Sequence, residues 1–399
     1  MSSRKHILVI SQYFYPEQFR INDICAEWVK RGYKVTVLTG IPNYPQGTFF
    51  QGYDLTHKRT EEWKGVRIIR IPLIPRGHNA VNLAANYLSF VVSGFVWKSL
   101  TDIKADFVFT FEVSPMTQAL IGVWYAKKHH IPHYLYVQDL WPENVEIVTG
   151  VHSPLVLRPI GKMVDYIYQN CTQIFATSPS FVREICKRGV PEKKVHYWPQ
   201  YAEEFYRPMK ASKKRDSRFT ITFTGNIGYA QGLDILPKVA EQLKKENINM
   251  KFLVVGDGRY REEFETEIEK RNVGDMFELT GRKEPEEIPQ ILADSDAAFL
   301  SFMDNPLFSM TIPAKLQSYM ACGVPIIAVA SGETKRIIEE AKCGVCCDIG
   351  NVGILANRIN WMVSQKKKDI KALANNARKY SEQKYEKNML INKIINQYF

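Results

Sequence analysis

Seven cysteines in 399 residues, an odd number without framework spacing, do not make a disulfide scaffold and fit a reducing compartment. Cys343, Cys346 and Cys347 begin a zinc-like cluster, but no second cysteine pair or histidine pair follows. They read as small core residues. No nucleic-acid module is recognisable and the basic residues are scattered, so nucleic acid ranks last among partners. The opening MSSRKHILVI passes from a short basic tag into a strand, with an apolar run too short for a signal peptide. From Gly77 to Trp97 there is no Asp, Glu, Lys or Arg. Asn79, Asn82, Asn86, Ser89 and Ser93 nevertheless break up the ~20 apolar residues a span needs. Arg67, Arg70 and Arg76 precede this stretch and Lys98 follows it. It reads as a helix dipping into an anionic bilayer surface or as a buried domain helix, the latter preferred.

What is present is ordinary globular composition, 45% hydrophobic and 24% charged, in a chain long enough for two domains. The net charge of +11 favours anionic partners, nucleotide phosphates and acidic lipid headgroups first. Short apolar runs alternate with helical patterns. In the first half the expected strands are His6–Ile10, Lys34–Leu38, Arg67–Ile71, Asp106–Phe111, His133–Val137 and Gln173–Thr177. They are apolar on both faces, as buried parallel strands are. Ile21, Ile24, Cys25, Trp28 and Val29 follow helical spacing between the first two, and Gly32 follows. This is the βαβ start of a doubly wound sheet. The register restarts after the basic stretch Glu203–Arg218, with strands at Phe219–Thr224, Lys251–Val255, Met276–Thr280, Ala297–Ser301 and Pro325–Val329.

The expected fold is therefore α/β, with two Rossmann-like doubly wound domains of similar size. The expected boundaries are 1–202, a linker at 203–218, 219–378, and a single terminal helix at 379–399 able to cross back to the first domain. Thr311–Pro325 (TIPAKLQSYMACGVP) carries the most chemistry. Pro313 suits a first helical turn, Gly323 ends the helix, and a buried strand follows. Free backbone N–H groups, a helix dipole and Lys315 in the first turn make an anion site. The plainer alternative is a Pro-initiated helix with a surface lysine.

Eight motifs in order resemble one family: YPEQFRIND, VTVLTGIPNYPQG, VQDLWPE, FTGNIGYAQGLDIL, VVGDG, LTGR, TIPAKLQSYMACGVPIIA and SGE. The chain is similar to family 4 glycosyltransferases of the GT-B type, and more narrowly to bacterial O-antigen and capsule enzymes that include L-fucosamine transferases. The resemblance implies two Rossmann-like domains facing across a cleft, and sugar transfer with retention from a nucleotide donor, UDP expected, to a hydroxyl of a lipid-diphosphate-linked saccharide. It implies peripheral attachment at the cytoplasmic face of the membrane, with no cofactor, since the nucleotide-sugar is a co-substrate. It also implies no metal, and no Asp-x-Asp pair stands at a plausible strand end; Asp294-Ser-Asp296 reads as a helix-to-strand connection. Protein cations, dipoles and N–H groups must then stabilise the departing diphosphate.

Residue by residue, the resemblance places the donor on Gly225, Asn226, Gln231, Gly256, Asp257, Arg282, Lys315, Leu316, Gln317 and Ser318, with Arg20 reaching across the cleft. Many relatives have an arginine and a lysine where this chain has Asn226 and Gln231. The family's two glutamates align with Met310 and Ser318. Ser318, with Gln317, retains the means to bond a ribose; Met310 replaces no carboxylate and points to a deoxy or N-acetylated sugar. Asp139 and Glu143 are the catalytic candidates, following a strand and braced by Trp141-Pro142. The alternative for Asp139 is a helix N-cap. His129, His130 and His133 are discounted as ligands. A GT-B-fold nucleotide-sugar epimerase and a non-catalytic nucleotide-sugar binder remain as competing readings.

Overall fold

The computed structural model describes residues 4–77, 79–212 and 217–399. Residues 1–3 of the basic tag, residue 78 and residues 213–216 of the expected linker lie outside the described residues. The chain divides into two compact units, Met1–Trp198 and Pro199–Phe399.

The first unit holds strands β1 (His6–Ile10), β2 (Lys34–Gly40), β3 (Thr60–Trp63), β4 (Val66–Ile71), β5 (Phe107–Glu112), β6 (His133–Val137), β7 (Gln173–Ala176) and β8 (Val195–Tyr197). Its helices are α1 (Arg20–Lys30), α2 (Ala80–Leu100), α3 (Ala119–His129), α4 (Glu143–Thr149), α5 (Pro154–Gln169) and α6 (Pro179–Lys187). The sheet runs β3-β4-β2-β1-β5-β6-β7-β8. Every neighbouring pair is parallel except β3 with β4. β1 is buried throughout because helices cover both faces of a parallel sheet. The stripe on α1 buries Ile21, Ile24, Cys25 and Trp28, and the Trp28 ring meets Phe109 of β5 edge-on at 4.9 Å. β3 and β8 were not predicted: one is a polar edge, TEEW, the other only three residues.

Helix α2 overturns the buried-helix reading of residues 77–97. Among its described residues only Asn86, Phe90 and Gly94 are buried. Val81, Leu88, Val92 and Phe95, expected on the packed face, are 77%, 62%, 63% and 50% exposed. The helix is instead held by its small and polar edge. Asn86 accepts from Gln12 Nε2 at 2.7 Å and donates to the Ile74 carbonyl, while Gly94 packs against Ile121 with no room for a Cβ. α2 is long and apolar enough to cross a membrane by length and composition.

The second unit holds β9 (Phe219–Thr224), β10 (Met250–Val255), β11 (Phe277–Gly281), β12 (Ala297–Ser301), β13 (Ile326–Val329) and β14 (Gly344–Cys347). Its helices are α7 (Ile235–Lys245), α8 (Arg261–Lys270), α9 (Ile288–Ala293), α10 (Pro306–Met310), α11 (Ala314–Cys322), α12 (Gly332–Ala341), α13 (Val352–Ser364), α14 (Lys367–Lys384) and α15 (Lys387–Tyr398). All strands are parallel, in the order β11-β10-β9-β12-β13-β14. Ile221, Phe223, Val239, Phe252, Phe264 and Ile359 belong to one core between sheet and helices. The unpredicted β14 carries Cys346 and Cys347, and all seven cysteines are free thiols.

Where a single terminal helix was expected at 379–399, the chain forms two helices, α14 and α15. The chain breaks at Tyr385-Glu386, where the Glu386 carboxylate caps α15 by accepting from the amides of Asn388 and Met389. Lys387 then pairs with Glu204 at 2.8 Å, with its ammonium over the Tyr201 ring. The described residues of 199–218 form neither helix nor strand. In each sheet the strand order reverses at one point, beside β1 and beside β9, and ligands of such folds bind outside the carboxyl ends of the strands there.

Candidate functional site

At the carboxyl edge of the second sheet, the loop after β9 lies on the loop after β10. Gly225 N–H donates to the Val255 carbonyl and Ile227 N–H to that of Asp257, both at 2.9 Å. A Cβ on Gly256, where φ is +149°, would sit 1.8 Å from the Gly225 carbonyl oxygen. Gly256 therefore supports the site by letting two backbones touch. Asp257 turns back on its own loop, accepting from Gly258 N–H at 2.8 Å.

Lys315 reaches into this corner from the start of α11. Its ammonium lies 4.1 Å from the centroid of the Phe223 ring and donates to Gln231 Oε1 at 2.7 Å. It makes no ion pair with a described residue. A Cβ on Gly225, at φ +131°, would be 3.4 Å from Nζ, so the missing side chain leaves the ammonium open on that side. The residue is half-buried, and desolvation of its ammonium lowers its pKa to about 7. Because Gln231 accepts from Lys315, its amide nitrogen is left to donate outward. Asn226 is exposed on the same loop, and Arg282 is exposed just after β11, where Gly281 accepts from Gly256 N–H.

The rest of α11 departs from expectation. Pro313 is its N-cap, with extended φ and ψ, and stands outside the first turn. Leu316 N–H already donates to the Pro313 carbonyl at 3.0 Å, which leaves the amides of Ala314 and Lys315 as the N-terminal donors. Gln317 does not join Lys315: its amide donates to the Gln200 carbonyl at 2.8 Å. Ser318 is buried, bonds back to the Ala314 carbonyl at 3.2 Å, and lies beside the Tyr206 hydroxyl. Both side chains are spent on the 199–206 segment because every residue from Leu316 to Cys322 is buried. Met310 ends the short α10.

In the first unit, Asp139 follows β6 and is held by Ser114, whose N–H and Oγ both donate to its Oδ2 at 2.8 Å. The N-cap reading fails: Pro142 stands at the N-cap of α4. Ser114 Oγ is itself fixed by Trp141 Nε1 at 3.1 Å and by the Asn144 amide. Burial raises the Asp139 pKa, offset in part by the two Ser114 bonds. Glu143 opens α4 and, among the described residues, takes no part in this hydrogen-bond network. Arg20 is the first residue of α1, and its positive charge acts on Tyr136.

Two buried carboxylates were not predicted. Glu112 ends β5 fully buried beside Asp139, with neither carboxyl oxygen in a hydrogen bond of ordinary length among the described residues. Burial and then the Asp139 charge push its pKa well up, although nearby amides of Asp139 and Gln138 offset part of the cost. The Asp139 charge and burial thus both favour the protonated form of Glu112. The signal was legible as a lone carboxylate closing the apolar run FVFTFE. Glu17 was also passed over. Its carboxylate accepts from the amides of Asn43, Tyr44 and Phe14, tying the YPEQ loop to the NYP loop. His133 is buried against Thr110 Oγ1 at 2.8 Å and is pushed down to about 3, a core histidine.

Two family models cover this architecture: a glycosyl transferase 4-like domain matches residues 18–200 and glycosyl transferases group 1 matches 207–380. The chain belongs to the GT-B glycosyltransferases of family 4. It is similar to WcaI of Escherichia coli (strain K12), a protein named for colanic acid biosynthesis glycosyl transfer, at 24% identity over 98% of each chain. Among solved structures it resembles sucrose-phosphate synthase (tll1590) from Thermosynechococcus elongatus, with TM-score 0.76, 15% identity and 99% and 98% of the two chains covered. Anabaena Alr3699/HepE in complex with UDP gives TM-score 0.71 at 14% identity over 98% of each chain. For this GT-B family 4 glycosyltransferase the structural likenesses show the fold.

Proposed function

We propose that this glycosyltransferase moves a sugar from a UDP-linked donor to a hydroxyl of a lipid-diphosphate-linked saccharide in surface polysaccharide synthesis, with retention and without a metal. The observation that carries the reading is Lys315, a desolvated ammonium with only a neutral amide partner, facing the side-chain-free Gly225. A diphosphate supplies the charge this group lacks, and Alr3699/HepE, of the same fold, has been solved with UDP. The colanic acid relative supports the polysaccharide setting. The subgroup of L-fucosamine transferases fits the methionine at 310, which offers a donor sugar no carboxylate.

In this mechanism the donor C–O bond breaks as the acceptor oxygen attacks on the same face, and the departing phosphate oxygen takes the acceptor's proton. Lys315, the Gln231 amide and the first-turn N–H groups of α11 stabilise the charge that collects on the diphosphate. Asp139 orients the acceptor hydroxyl and stabilises oxocarbenium charge, with Ser114 fixing its position. The exposed apolar side of α2, with Lys98 in its last turn, supports peripheral contact with an anionic membrane at the cytoplasmic face. The epimerase and binder readings are not favoured, since both matching family models and the colanic acid relative are glycosyltransferases. A donor screen tests the proposal: nucleotide release is measured with UDP-, GDP- and dTDP-sugars, using membrane lipid extract as acceptor. Release from UDP-sugars is expected, and activity confined to GDP-sugars would overturn the donor assignment.

A further inference from the structure

A pocket of about 510 Å³ opens in the first unit between α2, α4 and α5, and its walls are almost wholly apolar: Leu83, Tyr87, Trp141, Val145, Ile160 and Met163. Its size falls within the range of small-molecule sites. Polar groups interrupt the lining at Arg76, Ser114, Thr117, Asn144 and Thr149, and two of them bear on the chemistry. One is Ser114, the residue that holds Asp139. The other is Arg76, half-buried, stacked over the Tyr44 ring at 5.1 Å and donating to the Tyr13 hydroxyl at 3.3 Å. Arg76 makes no ion pair with a described residue. Burial raises the Tyr87 pKa to about 12, and the Arg76 charge opposes this while that of Asp139 adds to it, which sets the two groups around one ring.

An unpaired guanidinium at an apolar pocket is the complement of an amphiphile with an anionic head. We propose that this pocket receives the acceptor itself: the diphosphate on Arg76, the first part of the hydrocarbon chain between α2 and α5, and the sugar hydroxyl at Asp139. The inference rests on the transferase reading above and deepens it. Arg76 and Ser114 line a single pocket, so the distance from diphosphate to reacting hydroxyl is that of one or two sugar rings. The enzyme therefore acts early on the growing saccharide, after a reaction that places a first sugar on the lipid diphosphate.

The test separates this inference from the transferase reading. Farnesyl diphosphate, inorganic pyrophosphate and farnesol are titrated calorimetrically into the full-length protein. Farnesyl diphosphate is expected to bind at least about tenfold tighter than either fragment, a difference of roughly 1.4 kcal/mol. Ala84→Trp fills the pocket from an exposed helix position and Arg76→Gln removes the charge; each is expected to weaken that binding about tenfold or more. Arg76→Lys keeps the charge and should retain most of it, and unchanged melting temperatures show that the variants fold. Equal affinity of wild type and both disabling variants for farnesyl diphosphate overturns the pocket assignment even if UDP-sugars are turned over. Absence of nucleotide-sugar turnover overturns the transferase reading while leaving the binding result to decide the pocket. With synthetic lipid-diphosphate acceptors, transfer should fall once the saccharide exceeds two sugars; undiminished transfer to a tetrasaccharide overturns the early placement.

Discussion

UDP binding should draw a proton from solution near neutral pH, because the free protein holds Lys315 with a pKa of about 7. The cause is desolvation over the Phe223 ring with no anion in reach. A diphosphate beside Nζ restores the charged form and returns the pKa toward the usual lysine range. Above about pH 7.5 the nucleotide phosphates are fully ionised, so the remaining pH dependence belongs to the protein. Each pH unit above the free pKa then costs about 1.4 kcal/mol, or tenfold in affinity. Between about pH 7.5 and 9 the wild type should lose roughly twentyfold in UDP affinity. The sign for folding is opposite. Between about 7 and the ordinary lysine pKa the native state binds fewer protons than the unfolded chain, so this group makes the protein more stable as pH rises. Calorimetry in two buffers of different ionisation enthalpy reads the proton directly. Lys315→Met should bind UDP about tenfold more weakly at pH 7.5, show no uptake, and lose the slope. A flat wild-type profile, or the same slope in the variant, would refute the account of the site.

Other perturbations follow from the same geometry. Lys315→Ala should slow turnover at least about tenfold, roughly 1.4 kcal/mol of transition-state stabilisation, as read by steady-state release of nucleotide. Asp139→Asn should cut transfer by about a hundredfold or more while leaving UDP affinity intact, and Ser114→Ala about tenfold, since the carboxylate loses one of its two tethers. Glu17 has its pKa raised to about 7, chiefly by burial. Native protein thus binds more protons than unfolded protein between about pH 4.5 and 7, and this contribution to stability is lost as pH rises through that window. Melting temperatures from pH 5 to 8 should show the fall, and Glu17→Gln should flatten it. Gly256→Ala should destabilise by about 2–4 kcal/mol, seen in chemical denaturation, because its Cβ meets the Gly225 carbonyl. Leu88→Asp with Val92→Asp should weaken binding to anionic vesicles about tenfold with melting unchanged, since both side chains are exposed.

Periodicity alone determined the two doubly wound sheets, because a strand buried on both faces leaves an uninterrupted run of Val, Ile, Phe and Tyr. Six predicted strands of the first unit and five of the second stand within a residue or two of their expected places. Gly225, Lys315 and Asp139 were legible too, since each follows a strand or opens a helix, and chain order fixes which edge of the sheet they reach. Sequence did not decide where side chains point once several elements compete for them. Gln317 and Ser318 look available beside Lys315, yet segment 199–206 lies on that face of α11 and takes both. α2 looks like a core helix, but Asn86, Phe90 and Gly94 dock it and leave the larger apolar residues outside. Glu112 and Asp139 stand 27 positions apart, and only the pairing of β5 with β6 brings the Asp139 charge to bear on Glu112. Burial, hydrogen-bond partners and pKa depend on what arrives from distant parts of the chain, and a local pattern carries none of that.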